Sequence, residues 1–150
     1  MAAGSFTVYT AAVTEIGNGS FDFSSDTYVM ILVTNSYTPS PNTDTHYSDV
    51  SSNEVASGSG YTTGGVVLSG VSWSASSATN TFTFTAPTWA SFSATFRYAV
   101  IVRRSGGSLV STDLLLAYVD GTGGGSLTGG GGTLTITPNA GGVFTGTHSP

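Results

Sequence analysis

Apolar and polar positions alternate along much of this chain. Phe92, Ala94, Phe96, Tyr98, Val100 and Val102 fall on one side of an extended segment. Ser93, Thr95, Arg97, Ala99, Ile101 and Arg103 fall on the other. Period-two alternation at this length predicts one long strand, Phe92 to Arg104, with a single face on a core. TFTFT (81–85) and TLTIT (133–137) alternate in the same way, with Phe82 and Phe84 sharing a face. Val66–Leu68 and Val71–Trp73 predict two further short strands. The runs DTYVMILVT (26–34) and LLLAYV (114–119) are apolar almost throughout, the pattern of strands buried on both faces. Arg104-Ser105-Gly106-Gly107-Ser108 predicts a hairpin loop between the long strand and a return strand, Leu114–Asp120.

The N-terminal segment has a different period. Phe6, Tyr9, Val13 and Ile16 lie three, four and three residues apart, on one helical face. Ser5 suits the start of a helix and Gly17-Asn18-Gly19 its end. The β-branched Thr7, Val8, Thr10, Val13 and Thr14 oppose it, but a short amphipathic helix over 5–16 fits the spacing better. Residues 36–65 (SYTPSPNTDTHYSDVSSNEVASGSGYTTGG) form a long loop marked by Pro39 and Pro41, with one turn of helix near Tyr47–Val50. GTGGGSLTGGGG (121–132) has the composition of a flexible loop. The expected fold is mainly β, one domain over 1–150. It is an antiparallel β-sandwich of jelly-roll type, with a short N-terminal helix and long Gly/Ser/Thr-rich loops.

Charge narrows the function. There is no lysine, and Arg97, Arg103 and Arg104 face eight acids for a formal charge of -5. Binding nucleic acid through its phosphates needs many cations, and an anionic membrane repels this balance, so neither partner is expected. Only 7% of residues are charged, leaving weak protection against self-association; a monomer hydrated by its Ser, Thr and Gly and a subunit that works inside an assembly both fit this composition. The absence of cysteine excludes disulfides and thiolate metal sites. MAAGSFTVYT has neither the basic start nor the apolar run of an export signal, so synthesis in a cytosol is expected. The apolar runs are far shorter than the roughly 20 residues that span a bilayer.

Candidate chemistry is sparse. A phosphate loop requires Gly-Lys, and a dinucleotide fingerprint fails because Ser126 stands where its last glycine belongs and a strand follows. Asp44, His46 and Asp49 lie within reach of one another and would suit a hard cation, but the calcium-loop pattern is absent and turn-forming roles fit better. No cofactor or metal is expected. G-x-S-x-G does not occur, and the base of a hydrolase would have to be His46, since His148 lies in the C-terminal tail. No catalytic residue is assigned, and an enzyme is not expected. Trp73 alternates with Val71 and is expected in the core, whereas Trp89 in TAPTWA has a turn context that would expose it, with neighbouring tyrosines, as a platform for sugars. The three arginines fit an exposed face paired with acids or a partner.

Three segments taken together carry a resemblance: SYTPSPNTDTHYSDV, then NEVASGSGYTTGGVVL, then FRYAVIV. In this order, after a short helix (5–16), a glycine turn (17–19) and Phe21-Asp22-Phe23, the chain resembles a family of small virion structural proteins of tailed bacteriophages. The likeness covers about residues 5 to 120 and departs from the family in lacking lysines. It implies no catalytic residues. It implies a capsid decoration (cement) protein in the virion, assembled in the bacterial host cytoplasm. Such a protein would bind the major capsid protein shell from outside and also itself as a homo-oligomer. The alternative is a tail, neck or fibre component, including one that binds host glycans. Tyr37, Tyr47 and Tyr61 of the 36–65 loop are the expected protein contacts, because tyrosine is favoured at interfaces. Deleting residues 38–48 is expected to abolish attachment and leave the fold intact, so this part of the loop is expected to be separable.

Overall fold

A computed structural model describes residues 4–76, 78–121 and 124–147. It is mainly β, 44% strand against 10% helical, with one helix and antiparallel sheets. Strands are numbered in chain order. The main sheet runs β1 (Thr7–Val8), β9 (Leu114–Asp120), β8 (Tyr98–Arg104), β2 (Thr27–Val33), β3 (Val66–Val67). A second sheet has the order β12 (Phe144–Thr147), β5 (Thr79–Thr85), β4 (Ser69–Ser76). Two ribbons complete the described strands: β11 (Gly132–Thr135) with β6 (Thr88–Phe92), and β10 (Leu127–Thr128) with β7 (Thr95–Phe96).

The two unbroken apolar runs became the interior of the main sheet. Tyr28 to Val33 are all buried, as are Leu115, Leu116, Ala117 and Val119. Both strands pair with β8, Tyr28 opposite Arg103 and Tyr118 opposite Val100. Sandwiched so, β8 buries Ala99 and Ile101 as well as Tyr98, Val100 and Val102. The expectation of a single buried face on this strand is therefore corrected. The long strand itself is divided, because its parts take different partners: Phe92 ends β6 and pairs with β11, β7 pairs with β10, and β8 pairs with β2 and β9. β5 follows its pattern, with Phe82 and Phe84 buried, Thr81 and Thr83 half-buried and Thr85 exposed.

The N-terminal helix is shorter than expected. Thr7 and Val8 pair with Tyr118 and Ala117, as β-branched residues prefer, and the helix α1 covers only Thr10–Gly17. Tyr9 precedes it without a side-chain cap bond, so Ser5 is not the cap. Its inward face is Tyr9 and Ala12; Val13, placed inward by spacing, is 60% exposed. The described part of the glycine-rich segment is likewise no free linker. Leu127 and Thr128 pair with Phe96 and Thr95, and the N–H groups of Gly129 and Gly131 donate to Ala94 and Phe92. A Cβ on Gly129 would lie 2.3 Å from the Phe92 carbonyl oxygen, so this residue is glycine because two backbones touch there.

Candidate functional site

The 36–65 loop is wound against the sheet rather than held away from it. The backbone N–H groups of Leu115, Tyr47 and Ser48 donate to the carbonyls of Thr45, Asp113 and Ser111. On its other side Thr34 and Val55 exchange bonds with Asn53 and Leu32, and Thr10 N–H donates to Pro41. A 3-10 turn at Tyr47–Asp49 lies where one helical turn was expected. The loop is part of the fold, which corrects the expectation that it is separable.

The three tyrosines expected as contacts face inward. Tyr37 is 4% and Tyr61 3% exposed; Tyr47 is half-buried. Each donates its hydroxyl to a carboxylate seven residues away: Tyr37 to Asp44 at 2.6 Å, Tyr61 to Glu54 at 2.6 Å, Tyr47 to the other Glu54 oxygen. Burial, reinforced by the acceptor carboxylates, pushes all three phenols well above their ordinary range. Tyr9 shares a buried hydroxyl contact with Tyr37 at 2.9 Å. The side chains expected to meet a partner instead hold the loop's shape. Tyrosine alone does not distinguish these roles, and in an irregular loop the spacing of Tyr47, Glu54 and Tyr61 gives no sign of their contact.

Asp44, His46 and Asp49 do not converge. Asp44 accepts from Tyr37 and from Ser40 N–H. Asp49 accepts from the N–H groups of Thr45 and His46 at 2.8 and 2.9 Å. Burial pushes the Asp49 carboxyl up, and these N–H donors more than offset it, leaving it below the usual range. The His46 ring sits 2.6 Å from the Thr45 hydroxyl. Both carboxylates thus act as turn formers, and among the described residues no group of three His, Cys, Asp or Glu side chains gathers. His148 lies outside the described residues.

All eight carboxylates of the chain accept hydrogen bonds from within it. Asp113, which nothing in its local sequence singled out, is 1% exposed and ties the 105–113 connection together through Ser105 and Val110. Arg103 pairs with Asp26 at 2.8 Å and Arg97 with Asp120 at 3.0 Å. Arg97 also reaches Asn35 and lies over the Tyr98 ring. Arg104 has its Nε buried without a hydrogen-bond partner. Two of the three expected surface cations are therefore spent in internal pairs.

The tryptophans have exchanged places. Trp89, expected to be exposed, is 4% exposed and a member of the core; Trp73, expected in the core, is 40% exposed. The alternation of Trp73 with Val71 is real, but β4 is the edge of its sheet and the core ends beneath it. Trp73 stacks on Phe23 at 5.0 Å and 20° and meets Phe144 at 5.6 Å. Beside it opens a groove of about 690 Å³, walled by Phe21–Ser24 and by Ser72 and Trp73. At its rim Asp22 accepts from Ser24 N–H, Ser24 Oγ and Ser25 Oγ, which hold its carboxyl down at about 2. No described helix is long and apolar enough to cross a membrane. In comparisons with protein-family models, curated proteins and solved structures, no match to this chain is found.

Proposed function

We propose that this chain is a structural protein of a tailed-bacteriophage virion, acting as a capsid decoration protein on the outer surface of the major capsid protein shell. The likeness of three ordered segments suggested it. The observation that carries it is the engagement of all eight carboxylates in internal hydrogen bonds. Carboxylates already held by internal donors lose less hydrogen bonding when a neighbour covers them, which lowers one cost of closing an interface. Attachment in this reading is area burial multiplied over a repeating shell, with no chemistry. Tyr37, Tyr47 and Tyr61 serve it by holding the 36–65 loop in shape, and the exposed stretches 42–43 and 56–60 meet the partner.

The reading includes a two-layer, jelly-roll-like arrangement. It is supported by contacts between the sheets, Phe82 of β5 against Tyr28 of β2 at 5.4 Å. Purified protein added to heads lacking it tests the proposal. Saturable binding at a copy number comparable with that of the major capsid protein is expected. A few copies per particle would move it to tail, neck or fibre, and no affinity for virions would end it.

A further inference from the structure

The geometry points to the groove beside Trp73 as a binding site for a neutral saccharide, with the indole as the stacking surface and the Asp22–Ser24 turn and Ser72 as the hydrogen-bonding rim. Three features lead there, none depending on where the protein sits in a particle.

The first is shape. The groove is shallow and open, and its volume of about 690 Å³ is within the range of ligand sites, enough for a sugar laid along it. The second is the indole. Trp73 is backed by Phe23 and Phe144, so its ring is held in place while the residue stays 40% exposed. A rigid exposed aromatic gives the C–H face of a pyranose an apolar partner at little cost in side-chain entropy.

The third is the polar inventory. Asp22 Oδ1 already accepts two bonds from Ser24, whereas Oδ2 accepts one, from Ser25. A carboxylate oxygen takes about two donors, so Oδ2 retains capacity for a hydroxyl. The hydroxyls of Ser24 and Ser72 stand alongside. An acceptor-rich rim next to an apolar plane matches a ligand that carries many O–H donors and an apolar face. The same carboxylate opposes phosphates, uronic acids and other anions, and the nearby Arg103 is already paired with Asp26. The class is thus an uncharged sugar.

The full chain is tested on an array of neutral and acidic glycans, with isothermal titration of the best binder and of its constituent monosaccharide. Binding of neutral oligosaccharides, weaker for the monosaccharide and absent for acidic glycans, is expected. Trp73→Leu keeps an apolar cover on Phe23 but removes the flat ring, and should weaken binding at least about tenfold, the scale of one lost stacking contact. Asp22→Asn tests the rim separately, with an expected loss of affinity in protein that circular dichroism shows to be folded at the assay temperature. Array silence, a preference for acidic glycans, or affinity unchanged in Trp73→Leu would overturn the site. So would loss of shell attachment in Trp73→Leu without any sugar binding, which would make the indole an interface residue and leave the virion reading standing.

Discussion

Tyr61 donates its hydroxyl to Glu54 Oε1 at 2.6 Å, across seven residues of a loop that has no regular secondary structure between them. The same oxygen accepts Gly64 N–H at 2.7 Å, and Tyr47 fills Oε2. Leu32 N–H of β2 donates in turn to the Tyr61 hydroxyl at 3.1 Å, so the carboxylate is one bond removed from the central sheet. Loop and sheet are therefore coupled through this side chain in addition to their backbone bonds.

Replacing that carboxylate should loosen the loop. Glu54→Gln keeps the shape but replaces one acceptor oxygen with a donor that faces either phenols or an N–H. A loss of about 2 kcal/mol is expected, the scale of hydrogen bonds to a charged group. Urea unfolding at neutral pH measures it; an unchanged midpoint would show the loop to be held by its backbone bonds alone.

Six tyrosines, at 9, 28, 37, 47, 61 and 98, have phenols pushed above their ordinary range, in each case first by burial. A folded value above the unfolded 10.0 means that the stability these groups contribute is complete below pH 10 and lost as pH rises beyond it. Absorbance at 295 nm should show these phenols silent in the native chain past pH 10, then ionising together as it unfolds. Gradual titration from pH 10 with intact circular dichroism would contradict the packed loop.

At the acid end the sign reverses. Asp22 is held at about 2 against an ordinary 3.8, and Asp49 is also lowered. Each contributes stability that is present above pH 3.8 and is lost as pH falls towards the folded value. Asp22→Asn and Asp49→Asn should each be less stable at neutral pH and lose less between pH 4 and pH 2 than the parent. Parallel curves across that window would show that the turns do not depend on these charges.

Backbone conformation gives a pair of opposite effects. Ser91 sits at φ 52°, which costs a residue with a Cβ about 1 kcal/mol that glycine does not incur. Ser91→Gly should recover part of this in thermal unfolding. Gly65 has φ +69° and leaves only 2.1 Å between a built Cβ and the Met30 carbonyl oxygen. Gly65→Ala should therefore cost about 3 kcal/mol, the upper range for overpacking. Equal effects at the two positions would rule out this account.

Much of the fold was legible in period. Unbroken apolar runs marked β2 and β9, alternation marked β5, and Pro and Gly marked the long loop. What was illegible depended on position within a sheet. Nothing in VSWSAS says that β4 is an edge strand, so Trp73 read as core; nothing in TAPTWA says that β11 pairs beside Trp89 and encloses it. The division of the 92–104 segment was hidden because its parts pair with β11, β10 and the main sheet, partners that lie elsewhere in the chain. β12 was missed because Phe144–Thr147 is too short and glycine-rich to alternate clearly. The candidate groove was hidden for the same reason as Trp73: its walls, 21–24 and 72–73, lie some fifty residues apart along the chain.

By itself the amino-acid sequence determined that this chain is β-rich, poor in charge and without thiol or lysine chemistry, since period and composition are local properties. The tertiary structure alone decided which tyrosines turn inward, which tryptophan reaches solvent and where every carboxylate finds its donors. Those outcomes depend on which strands lie at an edge and which distant segments meet, and pairing across the chain is what a one-dimensional pattern does not record.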